Sequence, residues 1–298
     1  MQFLLFAVHY KTGAWQLQSF SNHAAPSSAK SAAGRRPARR KRQPGAGDTG
    51  SPEFVEALAR GLSVMRCFTP ETGSLGNLEL AECTGLPKST ISRIVYTLTT
   101  LGYLRYHSDT GRYSPGYGVL ALGFGCLASL DVRQLARPLM ERLARDTGAA
   151  VALGTFDGES MTYIEAVHGS SALYLRLPAG YRAAMHSTMG RTYLATLPAS
   201  ERSRILASAH MPDNMAVITE KACREFAEYG CCYGLGDWQP GIHAVAAPFT
   251  ALTGEGTFVI SCGGPDSILP KARIRGEVKD ALLEVVAALS PPVPAPGR

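Results

Sequence analysis

Long apolar runs are missing from this 298-residue chain. None approaches the roughly 20 residues a helix needs to cross a bilayer, so no membrane-spanning helix is expected. The opening MQFLLFAV is short, follows no basic region and meets no small-residue cleavage site. A signal peptide is rejected on those grounds, and the chain is expected to stay in the cytoplasm, away from membranes. Catalytic and metal signatures are equally absent. There is no HExxH, GxSxG or P-loop pattern. The seven cysteines (Cys67, Cys83, Cys126, Cys223, Cys231, Cys232, Cys262) form neither CxxC pairs nor His-interleaved zinc spacings. The sequence therefore predicts no catalytic residue, no metal and no cofactor. An odd cysteine count in a cytoplasmic chain argues for reduced thiols, and adjacent Cys231 and Cys232 rarely bridge without strain.

Charge is thin as well, at 18% Asp, Glu, Lys and Arg. It is also unevenly placed. Residues 1–50 hold eight basic side chains against Asp48 alone, a balance of +7, so with +6 for the whole chain residues 51–298 sum to −1. Any affinity of the folded part for a polyanion must come from a local patch. Residues 21–50 are rich in Ser, Ala, Gly, Pro and Arg and cannot bury enough apolar surface to fold. Residues 1–50 are accordingly predicted to be a disordered basic tail, and the Pro-rich residues 291–298 a second one.

A suitable patch lies between Leu80 and Leu104, LAECTGLPKSTISRIVYTLTTLGYL. It reads as a short helix, a turn at Gly85, and a second helix started by Leu86-Pro87 and ending near Gly102. On that helix Ile91, Ile94, Val95 and Leu98 recur at i, i+3, i+4 and i+7, an apolar stripe that must face a core. Ser89, Ser92, Arg93 and Tyr96 form the opposite face, a set of donors suited to base edges and phosphates in a DNA major groove. Lys88 and the helix-start N–H groups suit phosphates, Thr90 either a phosphate or the turn, and Arg93 can fork onto a guanine. Upstream, Ser51-Pro52-Glu53 reads as a cap and helix start, with Val55, Leu58, Leu62, Met65 and Phe68 on one side of the helix. Downstream, Tyr103–Tyr106 and Arg112–Ser114 flank a Gly111 turn as a hairpin, placing Arg105, His107 and Arg112 on a wing. Residues 51–116 are thus predicted to be a winged helix-turn-helix.

Residues 117–130 read as an apolar, glycine-interrupted helix with too much apolar circumference for a lone surface helix, hence a linker and dimer contact. From 131 the prediction is a helix capped by Asp131, running to about Asp146 and stopped by Gly148. Strands follow at Ala150–Phe156, Met161–His168, Ala172–Leu177, Ala244–Phe249 and Gly256–Cys262. Helices are predicted at Met189–Thr196, Ser200–Ala209, Glu220–Tyr229 and Lys271–Leu289. Short turns between consecutive strands indicate an antiparallel sheet, so residues 131–290 form an α+β domain.

The segment LAECTGLPKSTISRIVYTLTTLGYL with its GRYSPGYGVLALG continuation resembles the IclR family of bacterial transcriptional regulators. VRQLARPLMERLARDTG, MTYIEAVHG, HSTMGRTYLATLP, LGDWQPGIHAVAAPF and CGGP extend the resemblance over about residues 53–290. It implies a winged helix-turn-helix, a linker helix and a GAF/PAS-like antiparallel-sheet domain that binds a small organic acid, a carboxylate or an aromatic acid. It also implies double-stranded operator DNA as partner, a homo-oligomer of dimers or paired dimers, and RNA polymerase as a further partner if the output is activation.

At the residue level, Ser187, Thr188, Met189 and Gly190 lie where a strand gives way to a helix, whose free N–H groups and dipole favour an anion. The resemblance makes Thr188 and Met189 pocket-lining residues, Ile242 and Ala244 a second wall, and Ser261 and Gly263 a third. Many members carry an acidic run before the PG of QPG; here only Asp237 remains, with Trp238, His186 and His243 as further candidates. Two alternatives stand beside this reading: a thiol-based redox sensor using Cys231, Cys232 or Cys262, and a Cys262-dependent enzyme assisted by His243 or His186.

Overall fold

The structure, a computed structural model, describes residues 7–11, 14–18, 51–69, 72–169, 177–207 and 211–291. It divides into two units, residues 1–47 and 48–298. In the first, strands β1 (Ala7–Lys11) and β2 (Ala14–Gln18) pair antiparallel, with Val8 opposite Leu17 and Tyr10 opposite Trp15. This corrects the expectation of a tail without structure over all of residues 1–50. Val8-His9-Tyr10 and Trp15-Gln16-Leu17 carry the period-two alternation of β-forming residues, which a compositional argument overlooks. The basic run Arg35–Arg42 and residues 292–298 lie outside the described residues.

The second unit begins with three helices and a hairpin: α1 (Glu56–Arg66), α2 (Asn77–Thr84), α3 (Lys88–Thr100), β3 (Leu104–His107) and β4 (Arg112–Pro115). Val64, Leu80, Ile91, Val95 and Leu104 close over one another as their core, with Ile94, Leu98, Met65 and Phe68 at its edge. Gly85, at φ 68°, makes the left-handed turn between α2 and α3, a conformation that side chains with a Cβ resist. One expectation fails on α1. The helix starts at Glu56, because Ser51 instead accepts the Glu53 N–H and its carbonyl closes a turn onto Phe54. Val55, Leu58 and Leu62 point outward, more than half exposed, while Val64 and Cys67 face the core. The stripe therefore divides, Met65 and Phe68 lying at the core's edge and Val55, Leu58 and Leu62 outside it. Cys67, just past α1, and Cys83, in the last turn of α2, are joined as a disulfide with their Cα atoms 6.3 Å apart. This corrects the expectation of reduced thiols throughout, since residue counts do not show which helix ends folding brings together.

Helix α4 (Tyr117–Ala128) has no buried residue, and Tyr117, Leu120, Leu122 and Phe124 are each more than half exposed. Helix α5 (Asp131–Thr147) ends at Gly148 as predicted, but its N-terminus is not capped by Asp131. The Glu255 carboxylate, 124 residues away, accepts the Asp131 and Val132 N–H groups at 2.7 and 2.9 Å. Among the described residues no single helix is long and apolar enough to cross a membrane.

A six-stranded antiparallel sheet follows, ordered β7-β6-β5-β10-β9-β8. Its strands are β5 (Ala150–Phe156), β6 (Met161–His168), β7 (Arg182–Ala183), β8 (Cys232–Leu235), β9 (Ile242–Thr250) and β10 (Thr257–Pro265). β7 and β8 are unpredicted, being short and, in β8, interrupted by glycine. The strand predicted at Ala172–Leu177 lies outside the described residues except for Leu177. The helices are α6 (Thr188–Thr196), α7 (Ala199–Leu206), α8 (Met215–Tyr229), α9 (Lys271–Arg275) and α10 (Glu277–Leu289), the last two broken at Gly276 where one helix is predicted.

Alternation along the strands gives the sheet two unlike faces. Val151, Leu153, Val245, Phe249, Ile260 and Cys262 pack against α5 and α10. Between them Ala152, Ala246 and Val259 face the other way, toward Met189 and Leu194 of α6 and Met215 of α8. Small side chains on that second face leave space, and the space is the site described next.

Candidate nucleic-acid interface and ligand pocket

The burial of Ile91 and Val95 decides the orientation of α3: the face opposite must point outward. Lys88, Ser89, Arg93 and Tyr96 are exposed, Tyr96 at 74%, and none of these side chains has a partner among the described residues. Ser92 is exposed but engaged: its hydroxyl donates to the Lys88 carbonyl at 3.0 Å and accepts from the Asn77 amide at 3.2 Å. Thr90 is half-buried at the helix start. Arg112 is the one predicted interface residue that the structure turns away. Its guanidinium donates to Glu79 at 2.8 Å and to the Ser74 carbonyl at 2.7 Å, bracing the wing against α2. An arginine so committed is not a free phosphate clamp, a correction to the sequence reading. On the wing, Arg105 lies over the Tyr117 ring and His107 bonds Ser114 at 2.8 Å.

The second site is a cavity of about 120 Å³ between the small-residue face of the sheet and the start of α6. That volume is close to the roughly 150 Å³ that takes a benzene ring in a protein interior. Of the residues predicted by sequence, Ser187, Thr188, Met189, Ile242, Ala244, Ser261 and Gly263 all line it. Ser187 caps α6, its hydroxyl accepting the Gly190 N–H, while the Thr188 and Met189 N–H groups of the first turn have no acceptor within the helix. Gly190 does not reach the cavity. A Cβ there would stand 2.5 Å from the Met185 backbone, so its role is to let α6 approach the turn that precedes it. Asp237 is also withheld from the lining. It accepts from Arg191 at 2.5 Å and from the Leu235 N–H at 2.8 Å. Burial works against the Asp237 carboxylate, but Arg191 and the Leu235 N–H outweigh it and hold the carboxyl below its ordinary range.

Sequence reasoning missed the aromatic side of the cavity, Tyr163 and Tyr181, and with it His168 and Leu177. The two tyrosine rings meet edge to face, 5.3 Å between centroids. Burial pushes the Tyr163 phenol up to about 12, so it stays protonated, and Ser261 lines the same cavity. The available signal was the run Ala150, Ala152, Gly154 alternating with Val151 and Leu153, a strand with one face deliberately small. Trp238 lines the cavity; His186 does not, and His243 is a satisfied core histidine whose Nδ1 bonds the Leu269 carbonyl at 2.7 Å.

The thiols of the two alternative readings are poorly placed for chemistry. Burial raises Cys231, takes Cys232 to about 12 and takes Cys262 to about 11, which disfavours the nucleophilic thiolate. The Cys262 thiol reaches the Thr147 hydroxyl at 3.7 Å, not an imidazole. Among the described residues no group of three His, Cys, Asp or Glu is arranged to hold a metal ion.

One ionic chain joins the cavity wall to the first helix. Arg182, between the lining residues Tyr181 and Ala183, pairs with Asp157 at 2.9 Å and Glu159 at 3.1 Å, and Glu159 pairs also with Arg66 of α1.

Comparison with known proteins bears on both sites. Residues 57–108 match the IclR helix-turn-helix domain, and residues 124–291 match the bacterial transcriptional regulator IclR C-terminal domain. The chain is 30% identical over 241 residues to the HTH-type transcriptional regulator TsaQ1/TsaQ2 of Comamonas testosteroni, covering 78% of this chain and 86% of that one. Its fold is similar to the crystal structure of an IclR family transcriptional regulator from Brucella abortus, with 39% identity, a TM-score of 0.74, and 82% and 95% of the two chains covered. It also shares the fold of an IclR homologue from Microbacterium hydrocarbonoxydans solved with 4-hydroxybenzoate, at 20% identity and a TM-score of 0.60, covering 78% and 96%. The winged helix with its outward α3 and the half-open sheet over α6 are therefore parts of one known architecture, and the chain belongs to the IclR family of DNA-binding transcriptional regulators.

Proposed function

We propose that this regulator reads operator DNA with Lys88, Ser89, Arg93 and Tyr96 of α3, and that a single-ring organic acid in the cavity beside Thr188 adjusts its grip. The observation that carries the ligand class is the lining. It offers aromatic and aliphatic walls, neutral hydroxyls from Ser187, Ser261 and Tyr163, and no Lys or Arg among the described residues. Positive potential comes from the α6 N-terminus, equivalent to roughly half a charge, enough for one carboxylate and too little for two. The 4-hydroxybenzoate held by the Microbacterium relative is a molecule of this kind. A dimer is part of the proposal, since the outer stripe of α1 and the whole of α4 expose apolar side chains that a second copy would cover. Ligand binding then alters the spacing of two recognition helices, which must match half-sites one helical turn apart. The Arg182–Glu159–Arg66 contacts give the cavity wall a hold on α1 in the same subunit.

A thermal-shift panel tests the ligand class, because a molecule that binds only the native state raises the melting temperature. Benzoate and hydroxybenzoates should raise it in a saturable way, and straight-chain dicarboxylates should not. The reverse ranking would discard the single-ring assignment.

A further inference from the structure

Neither site uses the Cys67–Cys83 pair, yet it sits at a mechanically sensitive point. Cys67 is the residue after α1, and Cys83 lies two residues before the Gly85 turn that aims α3. Their Cα separation of 6.3 Å falls within the range that disulfides span. Both redox states are accommodated. The Cys67 Sγ lies 3.4 Å from the Ser63 carbonyl oxygen, an acceptor ready for a reduced thiol, so opening the bridge leaves no buried donor unpaired. Cys83 is exposed, so reagents in solution reach the bridge from that side. The buried Cys231, Cys232 and Cys262 offer no such access.

We propose that Cys67 and Cys83 are a reversible thiol–disulfide clamp on the DNA-reading domain, closed by peroxide-class oxidants and opened by dithiols, and that the closed form binds operator more tightly. In the closing direction the Cys83 thiolate attacks a peroxide oxygen. An S–O bond forms, the O–O bond breaks, and hydroxide leaves and takes a proton as water. The Cys67 thiol then attacks the Cys83 sulfenic sulfur and gives its proton to the departing hydroxyl; the S–S bond forms, the S–O bond breaks, and a second water leaves. Two thiols and one hydrogen peroxide thus give one disulfide and two waters, the sulfurs losing two electrons that the peroxide gains. Opening is exchange with a dithiol, which is oxidised in turn.

The sign follows from the geometry. With the bridge closed, the recognition face of α3 already points outward. Fixing the end of α2 to the end of α1 removes motion that DNA binding would otherwise have to freeze, which tightens the complex.

The test uses the full chain and a fluorescent duplex enriched from a random DNA library by the dithiothreitol-reduced protein, so that selection does not favour the closed form. Alkylation with N-ethylmaleimide in urea, read by peptide mass spectrometry, reports the state of each cysteine. After hydrogen peroxide, residues 67 and 83 should be protected together, and anisotropy should show binding about three- to tenfold tighter than for the reduced protein. Cys83→Ser, changing an exposed residue, should remove the difference while leaving the reduced affinity unchanged. The proposal is overturned if both cysteines remain alkylatable after oxidant, if oxidised and reduced forms bind within twofold, or if Cys83→Ser keeps the response.

Discussion

Single side chains carry the sharpest consequences. If Arg93 forks onto a base, Arg93→Ala should cost about 1–3 kcal/mol and relax preference at one position of each half-site. Anisotropy against single-substituted duplexes measures this, and equal weakening on every sequence would make Arg93 a phosphate contact. In the cavity, Tyr163→Phe removes a neutral phenol from the lining. Affinity for a hydroxybenzoate should fall by about 1 kcal/mol in calorimetry, with operator binding of the ligand-free protein unchanged. The interface residues were legible because a recognition helix must carry two incompatible faces, and Ile91 and Val95 betray the inner one. Arg112 was not, because nothing local reveals that Glu79 and Ser74 will take its guanidinium. Asp237 misled for the same reason: Arg191 claims it from 46 positions away.

Elements depend on contacts that periodicity does not encode. Strands β5 and β6 fall where alternation puts them, and α3 where its turn glycine and proline put it. The start of α5, however, depends on Glu255 in the β9–β10 turn, a cap no local pattern could supply. Glu255→Ala should lower stability by about 0.5–2 kcal/mol, seen as a lower denaturant midpoint without change in slope. The β5–β6 turn makes a prediction in pH. Burial works against the Asp157 carboxylate, but the Ser160 and Glu159 N–H groups, Thr162 and Arg182 prevail and lower its pKa from 3.8 to about 2. A depressed carboxyl stabilises the fold above its unfolded value and loses that contribution as pH falls through the folded one. The stability gap between the native chain and Asp157→Asn should be constant above pH 4.5, shrink below about 4 and close near 2. A gap independent of pH would contradict the assigned contacts.

For the whole molecule the open question is how the exposed apolar faces are covered. Replacing Leu120 and Phe124, one turn apart on α4 and both outward, by Glu leaves the single-subunit core untouched. Sedimentation should then report monomers, and operator affinity should drop more than about tenfold because one half-site no longer holds the other in place. A variant that remains dimeric would place the interface elsewhere. The sequence told of α4 by its excess of apolar circumference, but not that the α1 stripe would divide, Met65 and Phe68 at the core's edge and Val55, Leu58 and Leu62 outside it.

The two-sided sheet has a consequence for how such a regulator can change its metabolite. Residues that set the shape of the cavity, Ala152, Ala244 and Ser261, alternate along the chain with Leu153, Val245 and Ile260, which hold the domain together from the other side. A methyl gained or lost on the hollow side redraws the chamber while the opposite layer keeps its packing. Chemical taste and structural integrity are thereby written on alternate letters of the same strands, free to drift apart.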